Sequence, residues 1–225
     1  MTDATVLVLG FEPFDKAPLN PAWEVARRLD GKTLDGARIV GVQLPCVFGK
    51  ALEALDAALQ QHQPSLVIAL GLAGGRTALS IERVAINVDD ARIADNAGQQ
   101  PIDVAVAADG PVAYFARLPI KQAVAAMRAA GVPAEVSNTA GTFVCNHVFY
   151  GLMHRLNTVP AWAQTRGGFV HVPYLPEMAA ALPAAPSMAV ETQCKGIEAL
   201  LAAVLRHDPE HQDLQLSAGQ LHSNS

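Results

Sequence analysis

Disulfide staples and metal fingers are both missing from this 225-residue chain. Its three cysteines, Cys46, Cys145 and Cys194, stand singly, with no CxxC pair. So sparse and odd a set excludes a disulfide framework and leaves inert or catalytic thiols. Aromatics are scarce at 5% and charged residues few at 16%, whereas 51% of the residues are hydrophobic. That balance rules out a disordered chain and favours helices on a buried sheet over an aromatic-rich β-sandwich. Positive charge is short as well: 16 Lys and Arg against 21 Asp and Glu leave a net charge of -5. Neither nucleic acid nor an anionic membrane is an expected partner. No apolar run approaches the length of a bilayer span and no signal peptide is visible, so the expected location is the cytoplasm.

What is present alternates between buried strands and amphipathic helices. "TVLVLG" (5–10), "ARIVGVQLP" (37–45), "SLVIALG" (65–71), "AEVS" (134–137) and the start of "GGFVHVPYLP" (167–176) read as strands. Helices are expected over 21–30, 49–62, 120–131, 144–157 and 191–207. The first has Asn20 as its N-cap, Pro21 at its first position and Gly31 just past its end. "ALSIERVAINV" (78–88) reads as one extended segment of ambiguous facing. The polar stretch "DDARIADNAGQQPID" (89–103) is too long for a mere connector and reads as a functional loop. This order predicts one α/β domain over 1–207, a three-layer α/β/α sandwich around a twisted, mostly parallel sheet, with a polar, frayed tail over 208–225.

In such sheets ligands gather beyond the carboxyl ends of strands. Three residues there suit nucleophilic chemistry: Glu82 in "SIERVAIN", Cys145 in "TFVCNH" and His171 in "GFVHVPY". A helix starting near Val144 places Cys145 in its first turn, where unpaired amides and the dipole favour a thiolate. The same amides would receive an oxyanion. Each residue also has a plainer reading: a packed thiol, a histidine satisfied in the core, a glutamate paired with Arg83 or Arg92. Spacing alone does not bring the three together, and the residues by themselves reach only as far as a thiol hydrolase of unnamed substrate. "LAGGR" (72–76) lacks both GxGxxG and the P-loop lysine, so its glycines are read as a tight turn with close backbone approach to a ligand. Cys145 and His147 lie two apart and face different sides of a helix, and His147 and His154 are read as packed or surface residues, so no metal site is expected.

Four blocks taken together, "GFEPF" (10–14), "GGRTALSIERVAINVDDARIADNAGQQPID" (74–103), "SNTAGTFVCNHVFYGL" (137–152) and "VHVPYLPE" (170–177), make the chain similar to the type I pyroglutamyl peptidases. These are cysteine peptidases of α/β/α fold. The resemblance implies removal of an N-terminal pyroglutamyl residue from peptides, without a cofactor, by a triad of Cys145 as nucleophile, His171 as base and Glu82 as acid. It puts Arg92 near the oxyanion site and gives the lactam ring walls of Phe11, Phe14, Ile93, Phe143 and Val144. Leu72 stands at a substrate-binding position where the family usually has glutamine, and Cys46 where it often has threonine. Homo-oligomers, often tetramers, are implied as well. Two other readings stay open at this level: a nucleoside phosphorylase or hydrolase using "LAGGR" as its anion site, and a lactam-binding module without chemistry.

Overall fold

A computed structural model describes residues 4–208 and 210–219 of the protein. The strands are β1 (Ala4–Phe11), β2 (Thr33–Leu34), β3 (Ala37–Leu44), β4 (Leu66–Leu72), β5 (Leu79–Glu82), β6 (Val84–Ile86), β7 (Ala113–Phe115), β8 (Ala134–Ser137) and β9 (Arg166–Val172). The helices are α1 (Pro21–Leu29), α2 (Lys50–His62), α3 (Ile120–Ala129), α4 (Val144–Thr158), the one-turn α5 (Pro176–Ala179) and α6 (Val190–Arg206). Seven strands form one sheet in the order β2-β3-β1-β4-β9-β5-β8, and β6 and β7 pair separately. The four central strands β3, β1, β4 and β9 are parallel. β2 runs against β3, and the parallel pair β5–β8 runs against β9.

β4 is apolar throughout and β1 nearly so, because helices cover both faces of the sheet there. On one face Val25 and Leu29 of α1, Met127 of α3 and Ile197 and Leu201 of α6 meet Val6, Val8 and Ile68. On the other, Leu55 and Leu59 of α2 and Phe149 and Leu152 of α4 meet Leu7, Leu9 and Phe169. Each large side chain so enclosed contributes about 1.5–3 kcal/mol relative to exposure. This is the expected three-layer sandwich. Asn20 caps α1 as expected: its Oδ1 accepts from the Ala22 amide at 3.0 Å. Substitution of such a cap by alanine costs about 1 kcal/mol.

Two local departures matter for the site. The segment 78–88 is not one strand. Leu79–Glu82 pairs with β8 and β9 in the main sheet, then at Arg83 the chain leaves it and Val84–Ile86 pairs with Ala113–Phe115. The change of sheet accounts for the ambiguous facing. The polar tail, expected to fray, has points of attachment in its described part. The Asp213 carboxylate accepts from the Lys121 and Gln122 amides at the start of α3, both at 2.9 Å. The Ala218 carbonyl accepts from Arg83, and the Gly219 carbonyl from Asn138. Residues 220–225 of that tail lie outside the described residues.

Candidate active site

Gly71 near the end of β4 and His171 near the end of β9 are register partners in a parallel pair. Paired residues of neighbouring strands project from the same face of the sheet. A Cβ built on Gly71 would lie 2.7 Å from Cys145 Sγ and 2.7 Å from the Phe169 ring. The thiol therefore occupies the space that any side chain at 71 would fill, on the face from which the imidazole rises. The first turn of α4 lies directly over β4, and only glycine permits that approach. Phe169, two residues before His171, packs its ring 4.9 Å from the imidazole and backs it.

Glu82 reaches the same face from the other direction. Because β5 runs against β9, with Ser80 opposite His171 and Ile81 opposite Val170, Glu82 lies level with the interior of β9. It is wholly buried. Its Oε1 accepts from His171 Nδ1 at 2.7 Å, a diagonal cross-strand contact. That bond places the ring proton on Nδ1 and leaves Nε2 as the free acceptor. A second donor shares Oε1: Arg76 Nη1 at 3.0 Å, while Arg76 Nη2 reaches the Thr139 carbonyl. Arg76 went unnoticed in the sequence because it closes a glycine-rich turn that reads as an anion cradle. Its signal was the six-residue spacing to Glu82 across a turn.

Burial sets the electrostatics. The Cys145 thiol is pushed up to about 12, chiefly by desolvation, further by Glu82 and against the opposing effect of Arg76. Desolvation between α4 and β4 works against the lowering expected at the helix start. His171 moves down from 6.5, again chiefly by desolvation, with the Glu82 hydrogen bond opposing. Both shifts favour the uncharged thiol and imidazole over the ion pair.

The surroundings are held by side chains that spacing did not reveal. α4 takes its first backbone donor from the His147 amide, which bonds the Phe143 carbonyl, so the amides of Val144, Cys145 and Asn146 have no carbonyl of the helix to bond. Asn146 is fully buried. Its Oδ1 accepts from the Ile86 amide and its Nδ2 donates to the carbonyls of Ile86 and Val88. His147, expected as packed or surface, is packed: Nε2 accepts from the Gly49 amide and Nδ1 donates to Asp89 Oδ2 at 2.8 Å. His154 lies 3.0 Å from the Tyr114 hydroxyl. The loop 89–103 is tied down by buried Asp95, which accepts from the amides of Phe48, Ala97 and Gln99. Glu12 of "GFEPF" joins that loop to Cys46 by accepting from Asn96 Nδ2 and the Cys46 amide.

The expected ring walls divide into two groups. Phe14 and Phe143 are half-buried and face one another with ring centroids 6.1 Å apart. Phe48, absent from the expected set, stands edge-on to Phe143 at 5.4 Å. Phe11 and Val144 lie in the core behind them, and Ile93 is half-buried on the loop. Leu72 is half-buried at the end of β4. Arg92 is exposed, and Arg76 is a cation whose charge acts on Cys145 and His171. Cys46 is buried, with its thiol pushed up, and Cys194 is likewise buried and raised.

Fold and site together define a three-layer α/β protein with a half-buried thiol over Gly71 and, on the same sheet face, a carboxylate-bound imidazole. Residues 4–207 match the family model described as pyroglutamyl peptidase, and the chain belongs to that family of cysteine-type hydrolases. The pyrrolidone-carboxylate peptidase of Cupriavidus taiwanensis is 61% identical over 218 residues, 97% of this chain and 99% of that one. Its counterpart in Escherichia fergusonii is 53% identical over 218 residues with the same coverage. Among solved structures, pyroglutamyl peptidase I from Bacillus amyloliquefaciens superposes with a TM-score of 0.91 at 42% identity. That match covers 96% of this chain and 100% of the other.

Proposed function

We propose that the protein hydrolyses the bond after an N-terminal pyroglutamyl residue of peptides, with Cys145, His171 and Glu82 acting as a triad. The observation that carries this reading is the thiol seated over Gly71, beside an imidazole whose far nitrogen is bonded to Glu82 at 2.7 Å. His171 Nε2 takes the thiol proton as Sγ attacks the pyroglutamyl carbonyl carbon. The oxyanion develops at the unpaired amides of the first turn of α4. The C–N bond then breaks, His171 returns the proton to the leaving amine, and a thioester remains. Water, losing its proton to Nε2, attacks the thioester; the C–S bond breaks, and pyroglutamate leaves as the thiol is restored. Glu82 holds the ring in the required tautomer and balances the imidazolium, and Arg76 holds Glu82.

The lactam ring packs against the edge of the Phe14–Phe143 pair, with Phe48 and Ile93 alongside and Phe11 and Val144 behind. A flat, uncharged ring suits such walls, whereas a free charged α-amine would have to be desolvated there at considerable cost. Arg92 is assigned only as a cation on the exposed arm of the loop. No metal or cofactor enters this scheme. Residues 1–207 form the working unit, in the cytoplasm. Among the described residues no helix is long and apolar enough to cross a membrane. Self-association of the chain is supported by a strip of exposed apolar residues at 102–115.

The test is release of free pyroglutamate from a pyroglutamyl anilide, by the wild type and by Cys145→Ala. Steady release by the wild type and a loss of about 10³-fold or more in the variant are expected. Undiminished turnover in Cys145→Ala would remove the nucleophile assignment.

A further inference from the structure

A cavity of about 370 Å³ adjoins the aromatic group of the site through Phe14 and is walled further by Leu72, Tyr174, Met178 and Leu182, with the carboxylates of Asp15 and Glu177 at its lining. Its place in the fold is set by the two catalytic strands. Leu72 directly follows Gly71, the residue under the thiol, and is the register partner of Val172. Tyr174 lies three residues beyond His171, and a Cβ on Gly74 would collide with its ring, so the turn after β4 and the chain after β9 are packed into one wall. Phe14 is shared: it meets Phe143, where the lactam ring is placed, and it also lines the cavity.

We infer that this cavity receives the side chain of the residue following the pyroglutamyl group, and that it selects an apolar residue there and rejects an acidic one. The inference rests on the proposed peptidase reading. His171 Nδ1 is bonded to Glu82, so the leaving amine takes its proton from Nε2. The departing peptide therefore lies on the His171 side of the scissile bond, and Tyr174, Glu177 and Met178 of the cavity lining follow His171 in the chain. The volume lies at the small end of the range for ligand sites, enough for one side chain rather than an extended peptide. Leucine and methionine walls favour an apolar occupant, and Met178 adapts to its shape. Among the described residues neither Asp15 nor Glu177 forms an ion pair. An acidic side chain would meet two unneutralised carboxylates, with no cation in the lining to offset them.

The test measures kcat/KM for pyroglutamyl dipeptide amides carrying Leu, Phe, Ala or Glu after the pyroglutamyl group, together with inhibition by free pyroglutamate, which fills only the acyl side. The wild type is expected to prefer Leu and Phe over Glu by about 10–100-fold. The double variant Asp15→Asn/Glu177→Gln should raise turnover of the Glu peptide several-fold and leave the Leu peptide unchanged. Met178→Asp should lower turnover of the Leu peptide about tenfold or more. Inhibition by free pyroglutamate should be the same in all of them. Equal kcat/KM across the series overturns the inference while leaving the peptidase reading intact. Loss of pyroglutamate inhibition in Met178→Asp also overturns it, by giving the cavity to the lactam ring. If no peptide in the series yields pyroglutamate, the parent reading fails first and this one with it.

Discussion

His171 is held neutral by its surroundings, and a general base must be neutral to act. Burial lowers its pKa from 6.5 and the bond to Glu82 opposes that fall. The acid limb of kcat/KM should accordingly lie below pH 6.5. In Glu82→Gln the opposing effect is gone, so the limb should move to still lower pH while kcat drops by about 10²–10⁴-fold. An unmoved limb in a pH–rate series would show that Glu82 does not act through the imidazole. The same shift enters stability with a definite sign. The unfolded chain protonates this histidine near its ordinary value and the folded chain only at lower pH. The contribution is present above about pH 6.5 and is lost as pH falls toward the folded value. For Cys145 the direction is opposite: its contribution is present below about pH 9 and is lost as pH rises toward about 12. Alkylation of Cys145 by iodoacetamide should therefore climb with pH and show no plateau near neutrality. Gly71→Ala tests the geometry at the same scale. The new Cβ would stand 2.7 Å from Sγ and from the Phe169 ring, so activity should collapse, with a stability loss of about 1–3 kcal/mol in denaturant titration. Retained activity would mean that the thiol does not sit over residue 71. Cys145, His171 and Glu82 were legible as residue types at strand ends and in a helix start. Their protonation states were not, because burial depends on which elements cover them.

At the level of elements, the helix carrying Cys145 is placed by what grips its first turn. Asn146 bonds the amide of Ile86 and the carbonyls of Ile86 and Val88, fastening the chain just after β6 against α4. Asn146→Ala leaves those buried groups unpaired at a cost of about 1–3 kcal/mol. It should lower both the melting temperature and kcat, because the chain that Asn146 holds leads into Asp90. The Asp90 amide donates to the Thr142 carbonyl just ahead of Phe143, and the Thr142 hydroxyl donates to the Asp90 carbonyl. A variant that loses stability but keeps full kcat would deny the asparagine a positioning role. Long helices and buried central strands were readable because caps and apolar runs are local signals: Asn20, Pro21 and "SLVIALG" announce themselves. β2, β7 and α5 span two to four residues, too few for a period to show. The break at Arg83 was invisible for a different reason. Alternation continues across it, and only pairing with β9 on one side and β7 on the other distinguishes the two strands. The antiparallel sense of β5, which buries the acid at the level of β9's interior, is likewise a fact of pairing and not of pattern.

Among the described residues, four of the eight exposed large apolar side chains fall in one stretch of the molecule, 102–115. Ile102 is 70% exposed, Val112 88% and Phe115 72%, in a protein whose central strands are otherwise covered. These residues are brought together by backbone bonds. Asp89 and Val104 exchange both their amide–carbonyl bonds, the Asn87 amide donates to the Val112 carbonyl, and Phe115 pairs with Val84. Side chains of this size left in water on neighbouring segments support the self-association proposed for the chain. The strip adjoins the segment 84–89 that Asn146 fastens to α4, so a second chain seated on it would also brace the helix carrying the nucleophile. Light scattering after gel filtration should accordingly find the wild type larger than the 23.7 kDa of one chain. The double variant Val112→Glu/Phe115→Glu places carboxylates on that face and should return it to a single chain, with reduced but measurable turnover. A wild type that runs as a monomer at micromolar concentration would remove this surface as an interface. A dissociated variant with undiminished kcat would separate assembly from catalysis, leaving the first turn of α4 to be held by Asn146 and His147 within one chain.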